Sequence, residues 1–183
     1  MDEDLRIISR FRSGDIEAFS ELVRKYQNGV YSFILRMVGS EADAQDLTQQ
    51  VFIRAFKGLK GFRGKGLFRT WLFRIATNVY RSHSKNSPLF SNSGLDNVRQ
   101  ECFEEKVILK EQRQVLRRLI SQLPYKQRLT LILKVYHELT FSEIAQVLDC
   151  SIGTVKANFH FALNRIREEW PRDEMQGSKD AHK

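Results

Sequence analysis

Nine basic side chains lie between Asp46 and Asp96 with no acidic residue among them: Arg54, Lys57, Lys60, Arg63, Lys65, Arg69, Arg74, Arg81 and Lys85. Phe52, Phe56, Phe62, Phe68, Trp71, Phe73 and Tyr80 are threaded through the same stretch. Charge of one sign repels itself on a solvated face, so such a block suits a polyanion. Flat rings among the cations suit bases that can stack, as in single-stranded or locally opened nucleic acid. The plainer alternative is a basic surface helix whose rings belong to a core. Bond-making chemistry finds no comparable set of residues. Gly64-Lys65-Gly66-Leu67-Phe68-Arg69 lacks the third glycine of a dinucleotide loop, and no Ser or Thr follows Gly-Lys as a phosphate loop requires. His137-Glu138 starts like a zinc-protease motif, but Phe141 stands where the second histidine is needed.

Apolar spacings of three and four along the chain predict helices to carry these residues. In a helix over 67–85, Phe68, Leu72, Ile75 and Val79 form the buried stripe, and Phe73 and Tyr80 occupy one shoulder. Arg74, Asn78, Arg81 and Lys85 form a ridge about a third of a turn away, with Trp71 either at its edge or completing the core. A helix opening on Ser40-Glu-Ala-Asp43, a start resembling a capping box, runs to about Lys57 with Ala44, Leu47, Val51 and Ala55 inside. Its outer face sets Ile53 among Asp46, Gln49, Gln50 and Lys57, which reads as a small protein contact or as one ordinary exposed aliphatic.

Towards the C-terminus, Thr140-Phe-Ser-Glu143 is a capping box for a short helix containing Ile144, Ala145 and Leu148. Asp149-Cys150-Ser151 can make a tight turn, because aspartate tolerates left-handed geometry, and Ser151 caps the next helix. Val155, Phe159, Ala162 and Ile166 face inward there, while Lys156, Ala157, His160, Phe161, Asn164 and Arg167 face out. The pattern fits a helix-turn-helix with a groove-reading second helix; a structural hairpin is the alternative.

Length and composition allow one large domain or two small ones. The net charge of +8 is uneven, since residues 1–87 hold 15 basic and 9 acidic side chains and 88–183 hold 15 and 13. Cys102 and Cys150 lie far apart with no CxxC, so neither a disulfide framework nor a zinc site is indicated. No apolar run is long enough to span a bilayer and the N-terminus lacks a signal-peptide core, so the expectation is a cytoplasmic protein with no membrane insertion and no cofactor. The three prolines fall at boundaries: Pro88 opens a Ser/Asn/Gly-rich stretch, Pro124 precedes a helix and Pro171 ends the last periodic segment. The predicted fold is all-α, with two small helical domains (1–87 and 104–170), a flexible linker (88–103) and a polar tail (171–183).

DLTQQVFIRAF from Asp46, FRGKGLFRTWLFRIATN ending at Asn78, Leu123-Pro124, and SEIAQVLDCSIGTVK ending at Lys156 together resemble the sigma-70 family of bacterial transcription initiation factors. The resemblance is to its compact extracytoplasmic-function (ECF) branch, which keeps only region 2 and region 4. It implies core RNA polymerase and promoter DNA as partners, and an anti-sigma factor as a common regulator of relatives. The segment matching Asp46, Gln49 and Gln50 docks on a coiled coil of the largest polymerase subunit in that family, which places Asp43 and Ile53 in the same expected contact. The stretch around Phe62, Arg63, Lys65, Phe68, Trp71, Arg74, Asn78, Arg81 and Lys85 corresponds to the part that captures and opens the minus-ten element, with Asn78 lining a flipped-base pocket. Ser151, Thr154, Lys156, Ala157, His160, Phe161 and Asn164 fall where the minus-thirty-five element is read. Two positions depart from the family pattern: Ser82 stands where many relatives are acidic, and Phe161 where arginine is frequent.

The stretch 86–104 measures about 24 Å as a relaxed coil and about 63 Å extended. The resemblance implies two promoter elements about one and a half turns apart, or roughly 50 Å. A relaxed tether is too short, so the expectation is that the polymerase holds it open.

Overall fold

The structure is a computed structural model that describes residues 3–64, 66–86 and 107–171. Among the described residues there are eight α-helices, one 3-10 turn and no strand, in agreement with the all-α expectation. The linker expected at 88–103 and the tail beyond Pro171 lie outside the described residues.

The first four helices form one bundle. α1 (Glu3–Arg12) buries Ile7, Ile8 and Phe11 against α2 (Ala18–Val38). Asp4, buried on α1, takes a bond from Lys25 Nζ at 2.7 Å and another from the Tyr26 hydroxyl, so its charge is compensated inside the bundle. α2 ends at Gly39, whose φ of 76° is the left-handed geometry that glycine adopts without a Cβ clash, and the Gly39 N–H closes the last turn on Leu35 O at 2.8 Å. α3 (Glu41–Gly58) starts on Ser40, which accepts the Asp43 N–H at 3.3 Å. Only this forward bond of a capping box forms, because Asp43 is a methylene shorter than the Glu or Gln that reaches back. A 3-10 turn at Leu59–Gly61 leads into α4 (Phe68–Asn86), where Phe68, Leu72 and Val79 of the predicted stripe are buried and Ile75 is half-buried against the same core.

The remaining helices are α5 (Val107–Gln122), α6 (Tyr125–Val135), α7 (Phe141–Leu148) and α8 (Ile152–Glu169). Pro124 stands immediately ahead of α6, where a missing N–H costs nothing. Thr140 and Glu143 complete a reciprocal capping box on α7: the Glu143 N–H donates to Thr140 Oγ1 at 3.2 Å and the Thr140 N–H to Glu143 Oε2 at 2.7 Å. Asp149 takes φ 54° and ψ 55°, and the Ser151 hydroxyl accepts the Thr154 N–H at 3.0 Å to start α8. Val155 and Ala162 are fully buried, with Phe159 and Ile166 packed against the same core. The helix-turn-helix read from the sequence is therefore built as expected.

The two helical units are not separate bodies on a string; they share a seam along one shoulder of α4. The His137 ring sits 4.8 Å from Phe73 and 5.8 Å from Phe33, and its carbonyl accepts a bond from Arg69. Farther along, Tyr80 and Tyr125 stack with centroids 5.9 Å apart, and Arg128 Nη2 donates to the Tyr80 hydroxyl at 3.0 Å. Burial, together with the nearby Arg36 and Arg69 cations, pushes the His137 imidazole down to about 4, and its Nε2 has no hydrogen-bond partner among the described residues.

Candidate nucleic-acid and polymerase interfaces

Three faces carry the candidate residues, each on a different helix. On α3, Asp46, Gln49, Gln50 and Lys57 are exposed around Ile53, which is 53% exposed, while Asp43 is half-buried at the capped end. At 100° per residue these positions form one stripe opposite Ala44, Leu47, Val51 and Ala55. The patch is thus a small apolar spot ringed by polar groups, on a helix held from behind by a full core.

On α4, Arg74, Arg81 and Lys85 are exposed and Asn78 is half-buried, with Asn78 Oδ1 accepting from Arg81 and the Ser82 hydroxyl donating to Asn78 O at 3.0 Å. Trp71 lies between the two sequence readings. Its ring is half-buried, 5.3 Å from Phe62 and 5.6 Å from Phe68, and a Cβ added at Gly58 would come within 3.1 Å of it. Gly58 is therefore the position at which the α3 backbone makes room for the indole. Of the two phenylalanines that the resemblance set in the minus-ten stretch, Phe68 is buried at 1% exposure, as its place in the apolar stripe predicts. Phe62 at 7% is a core residue too, because the turn at Leu59–Gly61 folds it back over Phe68. Arg63 is exposed, and Lys65 lies outside the described residues.

The ridge does have an acidic neighbour, contributed from far along the chain. Asp149, in the turn between α7 and α8, places Oδ2 3.8 Å from Arg74 Nη2. Between ridge and turn runs a groove of about 210 Å³ whose lining includes Arg74, Asn78, Arg81, Lys126, Asp149 and Thr154. Sequence reading missed this groove and the seam residues His137, Tyr125 and Arg128. A usable signal was present: Phe73, Ala76 and Tyr80 widen the apolar arc of α4 well beyond the single stripe of a helix with one packed side.

On α8, Lys156, Ala157, His160 and Phe161 are exposed and Asn164 is half-buried. Ser151 and Thr154 are also exposed, but Ser151 Oγ is 2.9 Å from Thr154 Oγ1 as well as capping the helix, so both hydroxyls are already engaged. Among the described residues no group of His, Cys, Asp and Glu is placed to hold a metal, and no helix is long and apolar enough to cross a membrane.

An open α3 patch, a cationic α4 ridge and a helix-turn-helix thus lie on separate helices of one all-α fold. Comparison with known proteins makes the family specific. Sigma-70 region 2 matches residues 22–87 and Sigma-70, region 4 matches residues 113–166. The chain is 34% identical to the RNA polymerase sigma-H factor of Pseudomonas aeruginosa over 181 residues, covering 90% of this chain and 92% of that one. It is also 34% identical to the ECF RNA polymerase sigma-E factor of Escherichia coli over 179 residues, covering 89% and 92%. Among solved structures, CnrH in complex with the cytosolic domain of CnrY has a TM-score of 0.71 at 21% identity, covering 91% of this chain and 96% of that one. RpoE in complex with the anti-sigma factor NepR from Bartonella quintana has a TM-score of 0.66 at 21% identity, covering 83% and 96%. The chain belongs to the sigma-70 family, as a member of its ECF branch. Its function is polymerase-associated promoter recognition, which a stand-alone helix-turn-helix regulator would not explain in the region 2 half.

Proposed function

We propose that the chain brings core RNA polymerase to promoters through a division of labour among three helices. α3 docks on the polymerase through Ile53 and the surrounding Asp43, Asp46, Gln49 and Gln50. α4 and its approach hold the minus-ten strand through Arg63, Lys65, Arg74, Asn78, Arg81 and Lys85, with Trp71 as the stacking edge. α8 reads the minus-thirty-five duplex through its outer face. Residues 1–87 and 104–170 are the two working domains, 88–103 the tether and 171–183 a tail. The chain works by binding alone and performs no catalysis.

The observation that carries the reading is the α4 ridge: three exposed cations beside a half-buried indole, with the other rings of the helix committed to packing. Phosphate contacts on such a ridge give salt-sensitive affinity, with a log–log slope of about 0.7 per neutralised phosphate on single strand and about 0.9 on duplex. Stacking on Trp71 contributes about 1–3 kcal/mol per base. A strand laid on the ridge meets the α7–α8 turn at the Arg74–Asp149 contact, so engagement of the minus-ten element draws region 4 off the shoulder of α4. That movement also releases the span needed to reach the upstream element.

The setting is the cytoplasm, where polymerase works, and an anti-sigma factor is a fitting regulator because the solved neighbour RpoE is bound to the anti-sigma factor NepR. Transcription in vitro with core enzyme tests the reading, scored by start-site mapping and by strand opening. Asn78→Ala is expected to impair opening of duplex promoter while core binding stays within about twofold. Equal loss of both, or core binding without initiation, overturns it.

A further inference from the structure

The reading face of α8 is divided lengthwise into two rows. Ala157, His160, Phe161 and Asn164 lie opposite the buried Val155 and Ala162. One row is polar and bonded within itself. Arg167 Nη2 donates to Asn164 Oδ1 at 3.1 Å, and Asn164 Nδ2 meets His160 Nε2 at 2.9 Å. A guanidinium only donates, so Arg167 turns the amide oxygen towards itself and the amide nitrogen towards His160. His160 Nε2 must then accept, which leaves the proton of the neutral ring on Nδ1. The second row is apolar: Ala157 and, one turn later, Phe161, 54% exposed with its ring centroid 6.2 Å from that of His160. The helix therefore presents an N–H donor and an apolar ring as close neighbours.

Among the major-groove edges of the four bases, only thymine joins an acceptor, O4, to a methyl group. Guanine offers two acceptors without a methyl, cytosine an amino donor, and adenine an acceptor beside an amino donor. We propose that His160 and Phe161 together select a thymine in the minus-thirty-five element, with His160 Nδ1–H donating to O4 and the Phe161 ring covering the C5 methyl. The inference rests on the assignment of α8 to that element. It assigns a reason to the departure at 161: where arginine would take guanine by two hydrogen bonds, this chain takes thymine by one bond and one apolar contact.

The test uses holoenzyme assembled from the full chain and core polymerase, offered duplexes randomised over the upstream element. Wild type is expected to enrich a thymine that Phe161→Arg replaces by guanine. On the selected duplex, that thymine is then exchanged for deoxyuridine, which keeps O4 and lacks the methyl, or for 5-methylcytosine, which keeps the methyl and carries an amino group in place of O4. Deoxyuridine should weaken wild-type binding about threefold to fivefold, the effect of one buried methyl, and leave Phe161→Ala unchanged. 5-Methylcytosine should weaken wild type about tenfold, a gap that His160→Ala narrows. An enriched upstream element in which no thymine responds to deoxyuridine overturns the inference and leaves the promoter-recognition reading intact. Core binding with no enriched upstream element overturns the assignment of α8 and this inference with it.

Discussion

α4 and α8 are almost equal in length, at 19 and 18 residues, and both carry cations and aromatic rings, yet they are built differently. α8 buries one stripe and turns a whole face to solvent, including Phe161. α4 is packed on two sides, by its own bundle through Phe68, Leu72 and Val79 and by the second helical unit through Phe73, Tyr80 and Arg69. A ring beside a polar or charged side chain thus has opposite surroundings on the two helices. On α8 it faces solvent, and on α4 it is mostly packed foundation, with Trp71 at the border.

The comparison breaks most sharply at a pair of phenylalanines. Phe73 is 2% exposed and lies 5.6 Å from Phe33 and 4.8 Å from His137, so Phe73→Ala leaves a cavity where both units meet. A loss of about 3–5 kcal/mol is expected from urea unfolding. Phe161→Ala removes a ring that faces solvent and should change stability by no more than about 0.5 kcal/mol. Similar losses at the two positions would mean that α8 is packed on its outer face too.

A smaller effect comes from pH and bears only on the seam. His137 is pushed down to about 4 by burial and by Arg36 and Arg69, against an ordinary value of 6.5. Its proton is bound more tightly when the seam is undone, so the seam has its full strength above about pH 6.5 and weakens as pH falls towards 4. At pH 5.5 the closed arrangement should be disfavoured about tenfold relative to pH 7.5. Distance measured by fluorescence transfer between labels on α2 and α8 would follow it. His137→Phe should flatten the profile between pH 7.5 and 5.5; an unchanged profile would assign the effect to another group.

How far the sequence alone could be read follows the range of the interactions involved. Caps and turns act over three or four residues, so Thr140, Glu143, Asp149 and Ser151 were legible with their geometry. Faces of single helices were legible as well: Ala44, Leu47, Val51 and Ala55 inside α3, and Val155 and Ala162 inside α8. Phe62 misled because a ring among cations has the same local pattern whether it stacks on a base or on Trp71, whereas Phe68 also carried the period of the buried stripe. The approach of Asp149 to Arg74 was invisible for a different reason, being a consequence of which shoulder of α4 the second unit chooses. That choice depends on Tyr125 and His137 meeting Tyr80 and Phe73 across more than 40 residues of chain.

The smallest expected effect lies where the two regions meet. The Arg74–Asp149 pair is 3.8 Å apart, with side chains 51% and 86% exposed, so water screens most of its attraction. Asp149→Asn keeps a residue type that tolerates the left-handed backbone at φ 54° and removes only the charge. Its effect on unfolding free energy should stay within about 0.5 kcal/mol. Binding of single strand to holoenzyme should become slightly tighter at low salt, since an anion beside the ridge is gone, and the difference should vanish as salt rises. Arg74→Gln should instead flatten the salt dependence of strand binding by about 0.7 in log–log slope, the loss of one phosphate contact. If Asp149→Asn cost as much stability as a buried bond, the α7–α8 turn would be a fixed part of the α4 shoulder, like the Phe73–His137 and Tyr80–Tyr125 contacts.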